Sequence, residues 1–284
     1  MSFDQYKLLD SGDGKKLEQV GPYVLIRPAS PCFWKPKKNN RLWSKADAEF
    51  IRKKDGDGTW IFHNKKMAKS WSIRLGEQQM QIQLTNFGHL GIFPEHLHHE
   101  QFVRSIVENS SSKQALKVLN LFAYTGALSI FMAKLGIEVV HVDASKSSIE
   151  WAKKNSSLSK TPQRKIRWIL DDVQKFAKRE ERRNSLYHGI ILDPPSFGRG
   201  PKNELWKIET HLLPLLETLK KIMHKDFRFL ILSSHTPGFT PDVLTNILQE
   251  IFTQNNNITS QEMLINEEKS TRKLPCGACA IYKD

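Results

Sequence analysis

The spacing of apolar residues changes about a third of the way along the chain. In residues 1–100, short apolar runs such as Tyr23–Ile26 and Trp60–Phe62 stand between turn-forming segments, and Met80–Thr85 alternates apolar and polar side chains. A period of two is expected of a strand with one solvated face. Segments such as Ser11–Gly14 supply the glycine and aspartate that tight turns require. We therefore predict a β-rich domain over residues 1–100.

From about residue 113, apolar runs of strand length alternate with amphipathic stretches of helix length. This alternation is typical of α/β proteins with a parallel sheet. A capping box at Ser147 with Glu150, and Thr240 followed by Pro241, predict two of the helix starts. The predicted strands are Lys117–Leu121, Glu138–Asp143, Lys165–Leu170, Gly189–Asp193 and Phe227–Ser233.

The sequence ends with two further apolar runs, Met263–Ile265 and Ala278–Tyr282, with no helix-sized segment between them. Two strands joined without a crossover must be antiparallel. An antiparallel hairpin on a parallel sheet distinguishes the methyltransferase variant of this architecture from plain dinucleotide folds. We predict a Rossmann-like class I methyltransferase sheet over residues 101–284, preceded by the smaller β-rich domain.

Composition favours a polyanionic partner. The 284 residues include 43 Lys and Arg against 30 Asp and Glu, a formal net charge of +13. Such an excess concentrates polyanions near the surface, which indicates nucleic acid; the alternative is a basic protein with no nucleic-acid role. Three cysteines are too few for a disulfide framework. With no long apolar run and a polar N-terminal segment, we expect a cytoplasmic protein without a membrane span.

The segment after the first predicted strand has the features of a ligand-binding turn. In open α/β sheets, ligands bind beyond the carboxyl ends of the strands. Gly126 allows close approach of the backbone, and the helix that begins at Ala127 offers N–H groups to a carboxylate. The G-x-G-x-x-G fingerprint is absent, so a ligand with a carboxylate and no pyrophosphate fits better. The predicted cofactor-binding residues are Asn120, Phe122, Ala123, Tyr124, Thr125 and Gly126.

Acidic residues end the next two predicted strands. Asp143, followed by Ala144 and Ser145, stands at the spacing from Asn120 at which a carboxylate reaches ribose hydroxyls. The alternative role of Asp143 is to cap the following helix. After the third strand, Asp172, followed by Val173, is predicted to reach the adenine amine. The alternative there is that Asp171 and Asp172 form a solvated turn.

Asp193-Pro194-Pro195-Ser196-Phe197 closes the fourth predicted strand. Two prolines stiffen the backbone and leave carbonyl groups free to accept hydrogen bonds. Together with the Asp193 carboxylate, these carbonyls can hold an amine or ring N–H, while Phe197 offers a face for a planar base. We predict Asp193, Pro194, Pro195 and Phe197 as catalytic residues, with Asp193 also next to the cofactor. The alternative is an ordinary loop start.

Two basic segments are candidate RNA contacts. Arg199, Lys202, Trp206 and Lys207 follow the Pro-Pro turn and are predicted to form a rim over the target nucleotide. Lys35–Lys38 lies near Phe33, Trp34 and Trp43, and cations next to aromatic rings suit phosphates and unpaired bases. The alternative for the second segment is packed aromatic rings with exposed lysines.

Several of these segments resemble the class I methyltransferases of the RlmI/RlmK group, which modify large-subunit ribosomal RNA. The resemblance rests on Asn120–Gly126, Val142–Ser145 and Leu192–Gly200, and Tyr6–Gly12, Gly21–Tyr23 and Phe87–Glu95 are similar to a bacterial subgroup. It implies S-adenosylmethionine as cofactor and a β-rich domain that flanks the site. It also implies that the segment around Phe93 contacts the cofactor.

The sequence departs from the branch of that group that methylates cytosine C5. C5 methylation requires a thiolate that adds to the ring, yet Ser196 and Ser233-Ser234-His235 stand where related enzymes carry cysteine. Serine is too weakly acidic to replace a thiolate without an activating base. We therefore favour a nitrogen of guanine or adenine in RNA. The alternatives are a protein or small-molecule substrate, or a noncatalytic RNA-binding protein on the same scaffold.

We predict no metal site. Cys276 and Cys279 have the spacing of half a zinc site, but structural zinc needs four ligands and no second pair is present in the sequence. His96, His98 and His99 are more typical of a polar surface than of a catalytic base.

Overall fold

The computed structural model describes residues 5–38, 40–53, 57–109, 115–162, 165–252 and 257–284. The chain divides into two compact units. The first unit combines Met1–Leu97 with Leu264–Pro275, and the second combines His98–Met263 with Cys276–Asp284. The sequence pattern predicted one unbroken second domain from residue 101 to residue 284 and did not indicate the assignment of residues 264–275 to the first unit.

The first unit is built mainly from short strands. Its elements are β1 Tyr6–Gly12, β2 Lys15–Val20, β3 Tyr23–Pro28, α1 Asn40–Trp43, β4 Ala48–Arg52, β5 Gly58–Phe62, β6 Ser70–Leu75 and β7 Gln78–Gln83. The first five strands form one sheet in chain order, in which only the β3–β4 pair is parallel, and β6 and β7 form a separate hairpin. The β-rich character expected of the N-terminal part is confirmed.

A buried charge cluster lies on the first sheet. Glu18 of β2 is fully buried, and Arg27 of β3 donates to both of its carboxylate oxygens, at 2.6 and 2.9 Å. Tyr6 donates its hydroxyl to the same carboxylate at 2.5 Å, and Lys16 lies 3.1 Å away. Burial alone would raise the pKa of Glu18, but the Arg27 and Lys16 charges lower it from 4.5 to about 2. The carboxylate is therefore ionised in the folded interior.

Residues 264–275 join the first unit through β1. Leu8 forms a β-bridge with Glu267, and its carbonyl accepts a hydrogen bond from Glu268 N at 2.7 Å. Ser11 donates its hydroxyl to the buried Glu267 carboxylate, and Arg272 donates to the Ser11 carbonyl. These hydrogen bonds complete the backbone pairing of β1 with a segment more than 250 residues away in sequence.

The remaining elements alternate helices and strands. They are α2 Leu97–Glu108, β8 Lys117–Leu121, α3 Ala127–Lys134, β9 Glu138–Asp143, α4 Lys146–Leu158, β10 Ile166–Leu170, α5 Val173–Arg182, β11 Gly189–Leu192, β12 Phe197–Arg199, β13 Leu205–Lys207, α6 Ile208–Lys220, β14 Phe229–Ser234, α7 Pro241–Ile251, β15 Ile258–Asn266 and β16 Lys273–Lys283.

Seven of these strands form one sheet in the order β10-β9-β8-β11-β14-β16-β15. The first five run parallel, and β16 pairs antiparallel with β14. The strand order reverses between β8 and β11, and the carboxyl ends of the parallel strands meet there. The predicted parallel α/β sheet and its antiparallel C-terminal hairpin are confirmed.

The parallel strands are apolar because both faces of the sheet are covered. All four residues of β11 and all six of β14 are buried. The core between sheet and helices combines strand residues such as Leu121 and Leu232 with helix residues such as Phe176 and Leu216. Burial of this apolar surface, at about 25 cal/mol per Å², is the main force that holds the site's loops on a rigid support.

The helix starts only partly follow the sequence prediction. Thr240 caps α7 by accepting a hydrogen bond from Val243 N, with Pro241 at the first helical position, as predicted. The capping box at Ser147 is wrong, because Ser145 caps α4 and accepts from Ser148 N at 3.2 Å. Ser145 follows the strand end directly, and its N–H donates to Asp143 Oδ1, so this local hydrogen bond holds the earlier serine at the cap position. Among the described residues, no helix combines the length and the apolar character needed to cross a membrane.

Candidate active site

The loop after β8 has an unusual backbone. Phe122, Tyr124 and Gly126 all have positive φ angles, of 55°, 49° and 84°. Such angles are uncommon outside glycine and are concentrated at functional sites. A Cβ atom on Gly126 would lie 3.1 Å from the Ala152 Cβ, so glycine also allows the loop to pack against α4. The loop thus leads into the start of α3, whose first N–H groups have no acceptor within the helix. Their contact with a cofactor stays a prediction.

Asp143 organises this loop. Its Oδ2 accepts a hydrogen bond from Tyr124 N at 2.8 Å, and its Oδ1 accepts one from Ser145 N at 2.8 Å. Burial raises the pKa of the Asp143 carboxyl, while the N–H groups of Ser145 and Tyr124 oppose that shift. Because Ser145 itself caps α4, the alternative role of Asp143 as the helix cap is wrong. Each carboxylate oxygen keeps a second lone pair for a ligand.

Buried hydrogen bonds between polar side chains support the loop after β8 and the start of α3. Asn120 donates its side-chain amide to Ser129 Oγ at 2.9 Å, and Ser129 Oγ lies 3.0 Å from His141 Nδ1. Burial lowers the pKa of His141 to about 3, so the imidazole is neutral. Asn155 of α4 donates to the Thr125 carbonyl at 2.9 Å. Asn120 therefore positions the loop, and its contact with a cofactor stays a prediction.

Asp172 lies at the end of β10 and caps α5. Its Oδ1 accepts a hydrogen bond from Lys175 N at 2.9 Å, and the residue is 8% exposed. The neighbouring Asp171 forms an ion pair with Arg179. The pair is therefore not a freely solvated turn, because each acid has a distinct partner. Val173 is buried directly behind Asp172.

At the carboxyl end of β11, Asp193 meets a histidine that the sequence analysis did not select. His235 Nε2 lies 3.5 Å from Asp193 Oδ2, and both side chains are partly exposed. Asp193 and His235 follow β11 and β14, which are neighbouring parallel strands. The signal in the sequence was therefore the position of His235 just beyond a predicted strand end, where ligand-binding side chains collect.

Phe197 and Arg199 lie on the short hairpin that follows Asp193. Strands β12 and β13 pair with Phe197 opposite Lys207. The Phe197 ring is 55% exposed, and the Arg199 guanidinium lies 5.9 Å from its centre. An exposed aromatic ring under a cation is suited to stacking on a nucleobase. The sequence prediction for these two residues agrees with their exposure.

Trp206 does not lie on the rim. The residue is 4% exposed, its indole N–H donates to the Pro195 carbonyl at 2.7 Å, and its ring packs edge-on against Phe122 at 4.8 Å. The prediction of Trp206 as a substrate contact is therefore wrong, because alternation along β13 turns this side chain into the core. The sequence pattern predicted a free Pro195 carbonyl. That carbonyl instead already accepts the hydrogen bond from Trp206.

The other predicted rim residues are exposed. The Lys202 backbone N–H donates to Glu204, whose carboxylate pairs with Lys175 at 2.6 Å. The side-chain hydrogen bond from Lys175 lowers the pKa of Glu204 to about 2. Lys207 precedes α6, and its N–H donates to His211 Nδ1. The hairpin is therefore fixed by local hydrogen bonds while its lysine side chains reach into solvent.

The geometry has a close counterpart among solved structures. The crystal structure of a S-adenosylmethionine-dependent methyltransferase from Agrobacterium tumefaciens matches this chain with a TM-score of 0.92 and 36% sequence identity, over 98% of this chain and 90% of that one. The chain belongs to the S-adenosylmethionine-dependent methyltransferases. A proposed methyltransferase complexed with S-adenosylhomocysteine matches with a TM-score of 0.75 at 17% identity, which supports the fold.

Curated relatives of this methyltransferase carry ribosomal RNA names. The large-subunit methyltransferase K/L of Alteromonas mediterranea is 30% identical over 163 residues, and methyltransferase I of Aeromonas salmonicida is 28% identical over 150 residues. These alignments cover 57% and 52% of this chain but 22% and 36% of the relatives. The chain thus spans between about a fifth and a third of the length of these proteins. No family model matches the chain.

The residues of the methyltransferase suit its cofactor class. A side chain at Gly126 would be strained at its φ angle of 84° and would crowd Ala152, and Asp143 ends β9 beside this turn. S-adenosylmethionine carries a carboxylate, a ribose and an adenine, which match the first N–H groups of α3 and the acidic strand ends. The donor set therefore fits the cofactor.

The two cysteines of β16 do not form a pair. Cys279 Sγ lies 3.3 Å from His98 Nε2, whereas the Cys276 carbonyl faces His235. Within the described chain, His98, His99 and Cys279 bring possible metal-ligand atoms within 4.8 Å of one another. Burial raises the pKa of the Cys279 thiol to about 11, so the thiol is protonated. The direction of its hydrogen bond with His98 depends on the tautomer of the histidine. The expectation of no metal stays a prediction.

Two predicted contacts lie in the first unit. Phe93 precedes a short 3-10 helix, Pro94–His96, and its ring stacks on His96.

Near Lys35–Lys38, the indole groups of Trp34 and Trp43 donate to Ser11 and Asp10 respectively, and Phe33 is 92% exposed. The tryptophans therefore have structural partners, and Phe33 is the aromatic ring of this segment that a base could reach.

Proposed function

We propose that this methyltransferase transfers a methyl group to a ring or exocyclic nitrogen of a purine base in RNA. The observation that carries the proposal is that Asp193, directly after β11, is followed four residues later by the exposed ring of Phe197. Asp193 supplies an acceptor for N–H groups, and Phe197 supplies a face for the base. A nitrogen target needs this combination and no thiolate.

The cofactor is held at the β8 and β9 ends in this proposal. The N–H groups at the start of α3 would bind the carboxylate, and Asp143 the ribose hydroxyls. The backbone of residues 122–126 would lie against the cofactor, because the N–H groups of Ala123, Tyr124 and Gly126 already donate to Val142, Asp143 and Ala123. Asp172 and Val173 would flank the adenine, with Ala144 and Ser145 behind the ribose. Asn120 belongs to this proposal as the strand-end residue that precedes the turn, and Phe93 stays an expectation of the family resemblance.

Asp143→Asn should weaken binding of S-adenosylhomocysteine about 100-fold. The amide would replace one acceptor oxygen with a donor that opposes the Tyr124 or Ser145 N–H, and hydrogen bonds to a charged group contribute ~1.5–3 kcal/mol each. Isothermal titration calorimetry measures the dissociation constant. Asp47→Asn is the matched control, since Asp47 also accepts a backbone N–H, from Val24, away from the site. An unchanged constant for Asp143→Asn would remove Asp143 from the cofactor site.

The target base is positioned by residues of β11 and the following hairpin. Asp193 accepts an N–H of the target amine, the Pro194 carbonyl accepts another, and the Phe197 ring fixes the plane of the base. Bound S-adenosylmethionine supplies an electrophilic sulfonium methyl group. Holding the nitrogen lone pair in line with that group converts a bimolecular reaction into a positioned one, which is the main source of rate.

The residues of the site disfavour a C5 target. Ser196 Oγ shares a hydrogen bond with Thr236 Oγ1 at 2.8 Å, and Ser233 and Ser234 are buried. A serine hydroxyl in a neutral hydrogen bond is not an anionic nucleophile. Attack of a nitrogen lone pair on the methyl group requires no covalent adduct with the enzyme.

Charge and relatives support RNA as the substrate. The net charge of +13 favours a polyanion, and the curated relatives are named for ribosomal RNA. Arg199, Lys202 and Lys207 would hold phosphates around the target nucleotide. The three cysteines form no disulfide, which fits the reducing cytoplasm in which we place the protein.

Tritium transfer tests this proposal. The purified protein is incubated with tritiated S-adenosylmethionine and total RNA from a strain that lacks this gene, and the labelled nucleosides are then separated. We expect label in one N-methylated purine. Label at a pyrimidine C5 would contradict the nitrogen assignment. Absence of label from RNA, with normal cofactor binding, would contradict RNA as the substrate and favour a protein or small molecule.

A further inference from the structure

We propose that His235 is the base that takes the proton released by the target nitrogen. This inference rests on the proposed function, since it concerns the same site. The observation behind this inference is that the imidazole lies between two groups: the Cys276 carbonyl faces Nδ1, and the Asp193 carboxylate faces Nε2. Neither the fold nor the sequence motif around Asp193 assigns this role.

The tautomer of His235 is set by β16. Its Nδ1 lies 2.6 Å from the Cys276 carbonyl oxygen. A carbonyl oxygen can only accept, so Nδ1 must carry the hydrogen and donate it. The second ring nitrogen, Nε2, therefore bears the lone pair whenever the imidazole is neutral. A fixed Nδ1–H is the device by which proteins present the opposite nitrogen as a base.

Nε2 faces the catalytic carboxylate. It lies 3.5 Å from Asp193 Oδ2. In the neutral state, two lone-pair-bearing atoms face each other and no hydrogen bond forms between them. Once Nε2 takes a proton, the imidazolium lies beside a carboxylate, and the pair becomes attractive. Asp193 therefore stabilises the imidazolium form of His235, which base catalysis produces, more than the neutral imidazole that precedes the reaction.

The loop that carries His235 is anchored on both sides. Thr236 N donates to Ser234 Oγ at 3.1 Å, and Thr236 Oγ1 shares a hydrogen bond with Ser196 Oγ. Ser196 follows Pro195 in the catalytic segment. The hydrogen bond between Ser196 and Thr236 thereby ties the loop after β14 to the loop after β11, in addition to the pairing of the two strands.

Gly277 provides the space for the imidazole. Its φ angle is 150°, and a Cβ atom there would lie 2.5 Å from the Ser234 carbonyl oxygen and 3.2 Å from His235 Nδ1. A side chain at this position would collide with the Ser234 carbonyl and crowd the imidazole that donates to the Cys276 carbonyl. Gly277, between Cys276 and Cys279, thus has a positional role, which agrees with the interpretation that the two cysteines are not half of a zinc site.

The proton balance of the reaction calls for such a group. When the nitrogen lone pair forms the new N–C bond, the pair of the broken C–S bond stays on sulfur. The methylated nitrogen then carries one surplus proton. That proton leaves along the hydrogen bond to Asp193 Oδ2 and is taken by Nε2 of His235, which later releases it to water. No oxidant or further reactant is needed.

His235→Asn separates this role from a structural one. The asparagine amide can still donate to the Cys276 carbonyl in place of Nδ1–H, but it has no atom that takes a proton. We expect the single-turnover rate constant for tritium transfer to the RNA of the deletion strain to fall about 100-fold, as for removal of a general base. Dissociation constants for RNA and S-adenosylhomocysteine should stay within about twofold of wild type.

The control is His224→Asn, which makes the same change before the amino end of β14, and it should transfer at the wild-type rate. His235→Ala should lose as much rate as His235→Asn. If His235→Asn transfers normally while His235→Ala does not, the histidine only holds the loop, and the inference is overturned. If wild-type protein labels no RNA, the proposed function itself fails, and the two failures are thereby distinguished.

Discussion

Asp193→Asn should lower the single-turnover rate constant for methyl transfer about 1,000-fold, which corresponds to ~4 kcal/mol of transition-state stabilisation. The carboxylate is expected to hold the target amine and to stabilise its positive charge as the N–C bond forms. An amide keeps the shape of the side chain but carries no charge and turns a donor toward the amine. The measurement is rapid-quench transfer of tritium from S-adenosylmethionine to RNA from the deletion strain.

Asp226→Asn is the matched control for that experiment. Asp226 also lies beside a histidine, with 3.7 Å between its Oδ2 and His224 Nδ1, but before the amino end of β14. We expect the control to transfer at the wild-type rate and Asp193→Asn to bind the cofactor with an affinity within about threefold of wild type. Turnover by Asp193→Asn at more than a tenth of the wild-type rate would mean that the target amine is held elsewhere.

The second large effect concerns stability. Glu18→Gln should destabilise the first unit by ~3–5 kcal/mol at pH 7, because it leaves the buried Arg27 charge without its counterion. Its measure is the free energy of opening of the β1–β3 amides, obtained by hydrogen exchange with mass spectrometry. Glu268→Gln removes the exposed ion pair with Lys7 and should cost ~0–1 kcal/mol, as surface pairs do.

The cost of Glu18→Gln should depend on pH in a defined direction. The pKa of Glu18 is lowered from 4.5 in the unfolded chain to about 2 in the folded protein. Its stabilising contribution is therefore complete above pH 4.5 and is lost as the pH falls through about 2. The difference between wild type and Glu18→Gln should shrink across that window. A difference that is the same at pH 7 and pH 3 would show that the carboxylate charge is not what stabilises the sheet.

Much of the fold followed from local pattern. The apolar runs that became the central strands β8, β11 and β14 are buried on both faces, so their local propensity and their surroundings agree. The antiparallel end of the sheet followed from the lack of a helix-sized segment before Ala278. By contrast, the pairing of Glu267 with Leu8 depends on contacts between distant segments, which no local period encodes.

The candidate site was predictable where a residue's role depends on its place at a strand end. Asp143 and Asp193 follow strands and lie at the site for that reason. Trp206 was misjudged because proximity in sequence to the Pro-Pro turn says nothing about which face of β13 a side chain takes. His235 was passed over because its partners, Asp193 and the Cys276 carbonyl, come from two other strands.

The hydrogen bonds between β1 and residues 264–275 determine when the first unit can finish folding. During synthesis, β1 leaves the ribosome long before its last partner exists. At a translation rate of about 5–20 residues per second, the edge of β1 stays without this partner for some tens of seconds. Expression of residues 1–97 alone should consequently give a domain with an exposed strand edge, prone to association with other chains. A useful two-unit dissection of this protein would join the segment 264–275 to the N-terminal fragment by a linker.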